Sequence, residues 1–552
     1  MLLNPIAYFS LEFGIDDSLP IFAGGLGILA GDMLLEASQQ QKPFVGIGLF
    51  YHQAYLQQYI TESGEQVEGR FKIEAELSNL EPVTNQSGKP IIVLVPLGKR
   101  VIQVKAWKKL VGQTPLYLLD TQVRGNSIDD YNICNQLYAG DKKHRFKQEI
   151  VAGVGGVKLL AALKISPSYF HLNEAHCALA IIQVIIQTRE INSQLTFEEV
   201  LKQTKKKVLF TNHTVVINDN HTISKELAAV YLKPYAQTLK ITINDLLRLG
   251  KAKDPKAFSL NQLALSGSVR VNAVSQLHSL IAKKVWPEFS FIPITNGVFL
   301  PRWLGKPIAK VWPLTQINPC CKEKFWQAHL QQKRIMLKMV KHRTGIRMQE
   351  KILTVTWARR LTDYKRPGAI LKDVRRLEAI LNNQDRPVQL LMAGKVHPND
   401  REGKQFIKDL HRLCRETKFS QRFQFIPNYN IAVAQALIGG SDIWLNTPQR
   451  GYEACGTSGM KACLNGVLQM TTRDGWTNSV EWAKLGWTLD SDRVSEDIYR
   501  FLEGQATNMY YQRNQQGLPV KWIDYMIRSS ALIRKNYSAT RMLNQYEKEL
   551  YL

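Results

Sequence analysis

Three short segments carry glycine, hydroxyl and cationic residues at spacings that suit anion binding. The first, GGLGILAG, runs from Gly24 to Gly31 and opens an apolar helical stretch. Glycines let backbone N–H groups approach an anion closely, and a following helix start adds a favourable dipole. Gly25, Gly27 and Gly31 space as GxGxxxG, one residue longer than the dinucleotide fingerprint. A phosphate cradle and a tightly packed turn are both consistent with this segment.

The second segment is EACGTSGMK, from Glu453 to Lys461. It follows a β-type run, and its small hydroxyl-bearing loop could cap a helix and bind a phosphate. Lys461 then lies in the first turns of that helix, where its amine could form an imine with a phosphate-anchored aldehyde cofactor. The alternative is a plain helix start with a solvated lysine. The Walker pattern GxxxxGK[ST] is absent.

The third segment, ARRLTDYKR, from Ala358 to Arg366, directly follows another β-type run. Arg360 and Lys365 could converge on a phosphate dianion from a loop and a helix start. A solvated basic face is the alternative, since most charge runs are solvated. His213 in FTNHT ends a β-type run and is a candidate ligand-facing residue.

The remaining histidine pattern predicts no metal site. HLNEAH, from His171 to His176, spaces as HxxExH, which is neither of the zinc motifs HExxH and HxxEH. We therefore expect no bound metal.

Composition limits the class of protein. The 552 residues carry a net charge of +25, which favours anionic partners, but no nucleic-acid-binding signature accompanies it. The seven cysteines include no CxxC pair and predict reduced thiols. The N-terminus lacks a signal peptide and no long apolar run is present. We expect a cytoplasmic protein with no membrane or nucleic-acid partner.

The elements that must position these residues alternate between β-type runs and helical patterns, most clearly in the second half. This alternation predicts parallel sheets with right-handed crossovers. A proline-rich stretch, 301–319, is the best boundary. The prediction is an α/β fold of two Rossmann-like doubly wound domains facing a cleft, 1–299 and 300–552. In such sheets ligands bind beyond the carboxyl ends of the strands. The β-type runs of the second half are Ile352–Trp357, Val388–Ala393, Phe423–Ile426, Asp442–Asn446 and Val467–Thr471.

Taken together, the segments resemble the α-glucan phosphorylases, those acting on glycogen, starch or maltodextrin, in their short bacterial form. The ordered matches cover nearly the whole chain. They are AYFSLEFGIDDSLPIFAGGLGILAGD, LLDTQVRGNS, LYAGD, HLNEAH, FTNHT, TNGVFLPRW, RRLTDYKR, AGKVHP, DIWLNTP, EACGTSGMKACLNG and DGW.

The resemblance implies a GT-B glycosyltransferase fold and pyridoxal 5'-phosphate (PLP) as cofactor. It implies phosphorolysis of the non-reducing-end α-1,4-glucosyl bond, giving glucose 1-phosphate with retention, with the PLP phosphate as general acid and base. A homodimer is also suggested. The implied residues are Lys461 as the Schiff-base lysine; Gly25, Thr457 and Tyr429 around the cofactor; Arg360, Lys365 and His213 as catalytic residues; and Asn296, Glu453 and Gly456 at the glucosyl ring.

Two positions depart from the family pattern. Cys455 stands where the family usually has serine, and Val215–His221 is unlike the usual continuation of FTNHT. The alternative function is a sugar-nucleotide-dependent GT-B glucosyltransferase without PLP, against which Lys461 argues. A third alternative, a non-catalytic glycan- or nucleic-acid-binding protein, predicts binding without turnover. The preferred glucan, the physiological direction and regulation stay open.

Overall fold

The computed structural model describes residues 4–69, 71–138, 140–214, 221–312, 319–419 and 421–552. Two compact units are present. Unit 1 comprises Met1–Tyr55, Arg70–Ile294 and Leu543–Leu552, and unit 2 comprises Leu56–Gly69 and Thr295–Met542. The helix Ala539–Glu549 has residues in both units. The domain boundary at 299 and 300 stays a prediction.

Unit 1 is built on a mixed sheet whose larger part is parallel. The first six parallel strands in chain order lie in the spatial order 3-2-1-4-5-6, with a seventh beyond the sixth, which is a doubly wound arrangement. From one edge to the other, the strands are Ile292–Pro293, Arg270–Ala273, Val208–Asn212, Tyr169–Asn173, Ile6–Phe9, Phe44–Leu49, Thr114–Asp120, Arg100–Val111 and Glu81–Pro82.

The far edge of this sheet is antiparallel, which the sequence pattern did not reveal. Arg100–Val111 pairs antiparallel with Thr114–Asp120, and Val93–Leu97 pairs antiparallel with Arg100–Val111. Buried and exposed residues alternate along much of this edge, as expected for strands with one solvated face. Two small antiparallel pairs, Phe13–Gly14 with Pro20–Ile21 and Thr222–Ser224 with Ala257–Ser259, complete the strands described in unit 1.

The helices of unit 1 cover the sheet with their apolar residues. The helical pattern expected over 149–163 is interrupted, because a single π turn at Val151–Gly155 separates two α-helices. The α-helices are Gly25–Gln39, Ile128–Tyr131, Lys142–Ile150, Gly156–Ala162, Ala180–Ile191, Phe197–Lys205, Lys225–Leu239, Ile243–Leu247, Leu260–Gly267 and Gln276–Val285, with 3-10 turns at Glu76–Ser78, Asn132–Cys134, Ala175–Cys177 and Arg248–Gly250.

Unit 2 is built on a six-stranded, wholly parallel sheet. Five of its strands are mostly apolar and buried on both faces, which explains why the sequence pattern located these five within about one residue. In chain order they again lie as 3-2-1-4-5-6. From edge to edge the strands are Phe423–Ile426, Val388–Ala393, Leu353–Ala358, Ile443–Asn446, Leu468–Thr472 and Gly486–Leu489; a separate hairpin pairs Gln57–Ile60 with Gln66–Gly69. The expectation of α/β architecture with parallel sheets is confirmed.

Helices also follow the strands of unit 2, and two short ones lie in the proline-rich stretch, which the sequence pattern had read as aperiodic. The α-helices are Leu300–Trp303, Lys306–Val311, Pro319–Thr344, Val374–Leu381, Arg401–Arg415, Ile431–Gly440, Ser458–Leu464, Val494–Glu503, Gln505–Tyr511 and Val520–Asn536, with 3-10 turns at Asp363–Lys365, Pro367–Leu371 and Gly475–Ser479. Among the described residues, no helix is both long enough and apolar enough to cross a bilayer.

The long helix Pro319–Thr344 is rich in basic residues, and one of them is buried. Lys333 is fully buried and its ammonium contacts the buried carboxylate of Asp442. His329 lies 2.9 Å from the other oxygen of that carboxylate. Because a buried charge is costly unless paired, this part of the helix is fixed to the sheet by its polar residues as well as its apolar ones.

Candidate active site

The switch point of the unit 2 sheet brings together the second and third anion-binding segments. Leu353–Ala358 and Ile443–Asn446 are neighbouring parallel strands, and the chain leaves them in opposite directions along the sheet. Loops that follow such strands open a crevice at their carboxyl ends. Arg359 directly follows the first strand, and the loop with Glu453 follows the second.

An ion cluster around Glu453 occupies this crevice. Arg359 Nη1 lies 3.3 Å and Lys365 Nζ 3.4 Å from Glu453 Oε2. Arg359 Nη2 also donates a 3.1 Å hydrogen bond to Ser458 Oγ. Burial by itself would raise the pKa of Glu453, but the charges of Lys365 and Arg359 outweigh it and hold the pKa below its usual value. We call Arg359, Lys365, Glu453 and Ser458 the Glu453 cluster.

One guanidinium N–H of the cluster is left without an acceptor among the described residues. Arg359 is 6% exposed, and its Nε is buried without a hydrogen-bond partner among the described residues. A buried guanidinium donor left unpaired is costly, and an anion is its natural acceptor. Two cations against one carboxylate leave the cluster with a net positive charge that suits a phosphate.

The residue after Lys365 fixes the chain at this point. Arg366 has a left-handed backbone conformation with φ +47°, and its guanidinium donates three hydrogen bonds to carbonyls, at 2.8 Å to Thr447, 2.7 Å to Pro448 and 2.6 Å to Ser491. Burial lowers the pKa of Lys365 to about 8, with Glu453 opposing the shift. The ammonium is therefore mainly charged at neutral pH but titrates within the working range of many enzymes.

Lys461 is a buried residue and not the solvated lysine that its local sequence also allowed. It lies on the helix Ser458–Leu464, is 7% exposed, and places Nζ 4.0 Å from the centroid of the Trp303 ring. Ser458 and Lys461 are three positions apart on this helix and so share a face. Thr457 is the N-cap residue of the same helix. Arg359 therefore contacts, at Ser458, the same helix that carries Lys461.

Tyr429 and Gly456 also lie in unit 2. Burial raises the pKa of the Tyr429 hydroxyl to about 12, and the Arg359 charge partly opposes the shift, so the phenol is neutral and lies near Arg359. Gly456 has φ +77°, a left-handed conformation that favours glycine, and a Cβ there would lie 3.1 Å from Glu453 Cγ. The glycine therefore lets the loop turn closely over the Glu453 side chain.

Asn296 and the unusual Cys455 are neighbours. The backbone N–H of Asn296 donates a hydrogen bond to the Cys455 sulfur, and burial raises the pKa of that thiol to about 12. The Oδ1 atom of Asn296 is buried and has no hydrogen-bond partner in the described ranges. An unsatisfied buried amide oxygen can accept a hydrogen bond from a ligand hydroxyl.

Asp474 in the DGW motif supports the Glu453 loop. Its carboxylate accepts the backbone N–H groups of Glu453 at 2.8 Å, Tyr452 at 3.2 Å and Gly475 at 2.8 Å. Burial raises its pKa to about 6, and the Glu453 charge adds to the shift. No motif spacing in the sequence predicted this role.

His213 lies in unit 1, beyond the carboxyl end of the strand Val208–Asn212. Its Nε2 donates a 2.7 Å hydrogen bond to Asn173 Oδ1, and its backbone N–H donates a 2.9 Å bond to Glu174 Oε2. Burial lowers the pKa of His213 to about 3, so the ring is neutral. His278 donates from Nε2 to the Thr214 carbonyl at 3.0 Å. We call Asn173, Glu174, His213, Thr214 and His278 the His213 cluster.

Glu174 has a strained backbone. Its φ of +77° and ψ of +160° fall in a region that only glycine occupies readily. The strained conformation lets its carboxylate accept bonds from Ala175, His213 and Thr214. Such strain persists where surrounding contacts over-determine it, and it is concentrated at functional sites.

Gly25 also lies in unit 1, as the first residue of the helix Gly25–Gln39. It is exposed, and a Cβ built there meets nothing within 4 Å. The preceding N–H groups of Ala23 and Gly24 already donate to Glu12 Oε2, at 2.7 and 3.2 Å. The helix start is therefore open at Gly25, and its role towards a cofactor phosphate stays a prediction.

The structure brings Lys365 and Glu453 into direct contact, with Thr457, Lys461 and Tyr429 in the same unit. Arg360 is exposed beside them, and its charge contributes to lowering the pKa of Lys365. The sequence argument missed Arg359, although it precedes Arg360 in the same basic run. Burial distinguishes the two, and a run of cations does not reveal which one is buried.

Of the unusual segment Val215–His221, residues 215–220 lie outside the described residues.

Comparison with known proteins identifies the family. A family model described as carbohydrate phosphorylase matches residues 310–484. The maltodextrin phosphorylase of Thermococcus litoralis is 35% identical over 599 residues, covering 99% of this chain and 70% of the relative. The glycogen phosphorylase of Aquifex aeolicus is 33% identical over 604 residues, covering 99% and 86%. An uncharacterised protein of Methanocaldococcus jannaschii is 29% identical over 566 residues, covering 100% of both chains. The chain belongs to the carbohydrate phosphorylase family.

Proposed function

We propose that this protein is an α-glucan phosphorylase. It would cleave the non-reducing-end α-1,4-glucosyl bond of glycogen or maltodextrin with inorganic phosphate, giving glucose 1-phosphate with retention of configuration. The Glu453 cluster is the observation that carries the proposal. It is a buried, net cationic group at the switch point of the unit 2 sheet, and it includes Ser458 of the helix that also carries Lys461. Family membership and the names of the relatives support the same reaction.

The residues present fit PLP. Lys461 supplies a buried amine next to an aromatic ring, and Arg359 supplies a buried donor without a partner in the described ranges. The aldehyde of PLP needs an amine, and its phosphate needs a hydrogen-bond donor. Lys461, Arg359, Thr457 and Tyr429 of unit 2 would hold the group. When bound, it supplies a phosphate that donates and accepts a proton next to the substrate phosphate.

The chain's cations would bind and orient the attacking phosphate. Arg360 is exposed and Lys365 is fixed by its neighbours, so one can approach a diffusing anion and the other offers a preorganised charge. Charges fixed before the reaction stabilise the oxocarbenium-like transition state without reorganisation. Glu453 orients Lys365 and holds the local charge balance. Glu453 itself would contact the glucosyl ring through its remaining acceptor capacity.

Neutral groups would bind the sugar. His213 is uncharged and tightly oriented, Asn296 has an unused amide oxygen in the described part of the chain, and Gly456 keeps its loop free of side-chain bulk. Such groups match hydroxyls, which need well-placed donors and acceptors more than net charge. A phosphorylase site needs both kinds of group, because it binds a sugar and an anion together.

The alternative is a sugar-nucleotide-dependent glucosyltransferase without PLP. Such an enzyme needs no imine-forming lysine, whereas Lys461 is buried against Trp303 in this chain. The burial of Lys461 therefore favours phosphorolysis. A binding protein without turnover is disfavoured because strain at Glu174 and unused buried polar atoms accompany the candidate residues.

The proposed function includes a specific domain arrangement. We infer the GT-B arrangement of two α/β domains, 1–299 and 300–552, on the support of family membership and of two sheets with the same 3-2-1-4-5-6 strand order. A homodimer and a cytoplasmic location are proposed on the family resemblance. None of the seven cysteines, all of which lie in described residues, forms a disulfide.

The test is a product assay. Purified protein would be incubated with maltodextrin, with and without inorganic phosphate, and separately with maltodextrin and UDP- or ADP-glucose. We expect glucose 1-phosphate only when phosphate is present, and no transfer from the nucleotides. Nucleotide-dependent chain growth without PLP in the protein would establish the alternative. Glucan binding without any turnover would support the binding-protein reading.

A further inference from the structure

A second cluster of chemistry-bearing side chains lies in unit 1, among residues to which the proposed phosphorolysis assigns no role. Glu149 is in the last turn of the helix Lys142–Ile150, His176 is in the 3-10 turn Ala175–Cys177, and His221 immediately precedes the strand Thr222–Ser224. Three segments far apart in sequence thus deliver a carboxylate and two imidazoles to one place.

Their ligand atoms converge closely. One atom from each of Glu149, His176 and His221 lies within 4.8 Å of the other two. His176 Nδ1 is 3.3 Å from Glu149 Oε1, and His221 Nε2 contacts the same oxygen. The two rings stand nearly perpendicular, with centroids 4.8 Å apart. Glu149 is fully buried, and the His221 side chain is 18% exposed, which leaves a route to solvent.

Only one of the two oxygens of the Glu149 carboxylate has hydrogen-bond partners among the described residues. Both imidazoles contact Oε1, whereas Oε2 of Glu149 is buried and has no hydrogen-bond partner among the described residues. Arg145 Nε lies 3.7 Å from Oε1, beyond hydrogen-bond distance, and is also buried without a partner in the same ranges. Arg145 thus pairs with Oε1 through its charge alone, and Oε2 lacks the donor or cation that a buried carboxylate oxygen normally has.

The ligand set identifies the partner by its chemistry. Two imidazoles and one carboxylate form a known zinc-binding set with a position left for water, and first-row transition ions prefer imidazole far more than Mg²⁺ or Ca²⁺ do.

We propose that Glu149, His176 and His221 bind one first-row divalent transition ion, with Zn²⁺ the best match. The ion would join three segments at the turn that also carries Glu174, whose carboxylate positions His213 and Thr214. Its role would therefore be to stabilise the His213 cluster. The motif test on HLNEAH predicted no metal because it examined one segment, whereas these ligands come from three.

The experiment measures zinc in the purified full chain. Protein would be loaded with Zn²⁺, freed of loosely bound ions with a weak chelator and gel filtration, and analysed by inductively coupled plasma mass spectrometry. We expect about one ion per chain in the wild type and in a control variant, His342→Ala, which removes an exposed imidazole from unit 2. His221→Ala should weaken Zn²⁺ affinity at least about 100-fold in competition with a chromophoric chelator.

Two further measurements separate ligand loss from misfolding. Circular dichroism would establish that His221→Ala and a second variant, Glu149→Gln, are folded, and Co²⁺ titration would report the ligand field by its visible absorption. EDTA should lower the unfolding temperature of the wild type but not that of His221→Ala. Wild-type protein that retains no zinc, or equal zinc in folded His221→Ala and His342→Ala, would overturn the proposal.

Discussion

The Glu453 cluster in unit 2 and the His213 cluster in unit 1 both lie beyond the carboxyl ends of parallel strands, yet they differ in charge. The Glu453 cluster follows the first and fourth strands of a 3-2-1-4-5-6 order, and the His213 cluster follows the fourth and fifth strands of a sheet with the same order. The Glu453 cluster has two cations around one carboxylate, whereas burial lowers the pKa of His213 to about 3 and of His278 to about 4. The first therefore suits an anion, and the second suits the neutral hydroxyls that we propose it binds.

The difference teaches how one strand order can support two binding chemistries. The backbone fixes where loops open, and the side chains placed there decide whether the opening is charged. In unit 2 the cations remain charged because Glu453 offsets part of their desolvation cost. In unit 1 the Glu174 carboxylate accepts bonds from two backbone N–H groups and the Thr214 hydroxyl but from neither imidazole, and burial keeps both rings neutral. Variants in the two clusters should therefore fail in different ways.

The largest effect is expected for Lys461→Ala. The variant removes the single lysine of the helix Ser458–Leu464, so it should lose PLP incorporation and nearly all activity. PLP absorbance and phosphorolysis would be measured together, with Lys338→Ala, an exposed lysine of unit 2, as control. Full activity in Lys461→Ala would remove the cofactor assignment.

Arg360→Ala should lower turnover with phosphate by roughly 10²–10³-fold, because it removes one charge that stabilises the transition state. PLP content should be unchanged. Arg375→Ala removes an exposed arginine of the same unit and serves as the control. An unchanged rate in Arg360→Ala would show that this side chain does not reach the phosphates.

His213→Ala should reduce kcat/KM for the glucan by roughly 5-fold, since one neutral hydrogen bond contributes about 1 kcal/mol. The KM for phosphate should change little, which is the opposite pattern to that of Arg360→Ala. Kinetics with each substrate varied separately would measure the split. A raised phosphate KM in His213→Ala would break the distinction between the two clusters.

The alkaline limb of the pH profile should report Lys365. Because burial lowers its pKa to about 8, the ammonium is charged below that pH and loses its proton above it. The kcat/KM for phosphate should therefore fall as pH rises through about 8. Lys365→Arg, whose guanidinium stays charged, should move this limb to higher pH. An identical limb in both proteins would assign the titration to another group.

Cys455→Ser should have the smallest effect, less than about 3-fold on any kinetic constant, since serine can also accept the Asn296 N–H. The thiol has a pKa raised to about 12 by burial and stays protonated, so no charge is lost. Glucan KM is the sensitive readout. A large change would mean that the sulfur itself shapes the sugar site.

Much of the unit 2 site could be predicted from the sequence because its strands are continuous apolar runs and its loops carry distinctive segments. The contact between Lys365 and Glu453 follows from two loops at neighbouring strand ends. The burial of Arg359 could not be predicted, since two adjacent arginines look alike in sequence. The support given by Asp474 also depends on backbone geometry that no spacing encodes.

Unit 1 was harder to predict for physical reasons. Its antiparallel edge buries only one face, so its apolar runs are broken by solvated residues. The strain at Glu174 is a matter of local backbone conformation, to which the residue type gives no clue. The grouping of Glu149, His176 and His221 arises only when three segments fold together.

The most direct test of the account is to locate the cofactor. Purified protein would be reduced with borohydride, digested, and mapped by mass spectrometry for a pyridoxyl group. The account predicts about one group per chain, on the peptide that contains Lys461. A protein that carries no such group, or carries it on another lysine, would contradict the assignment of the Glu453 cluster as the cofactor and phosphate site.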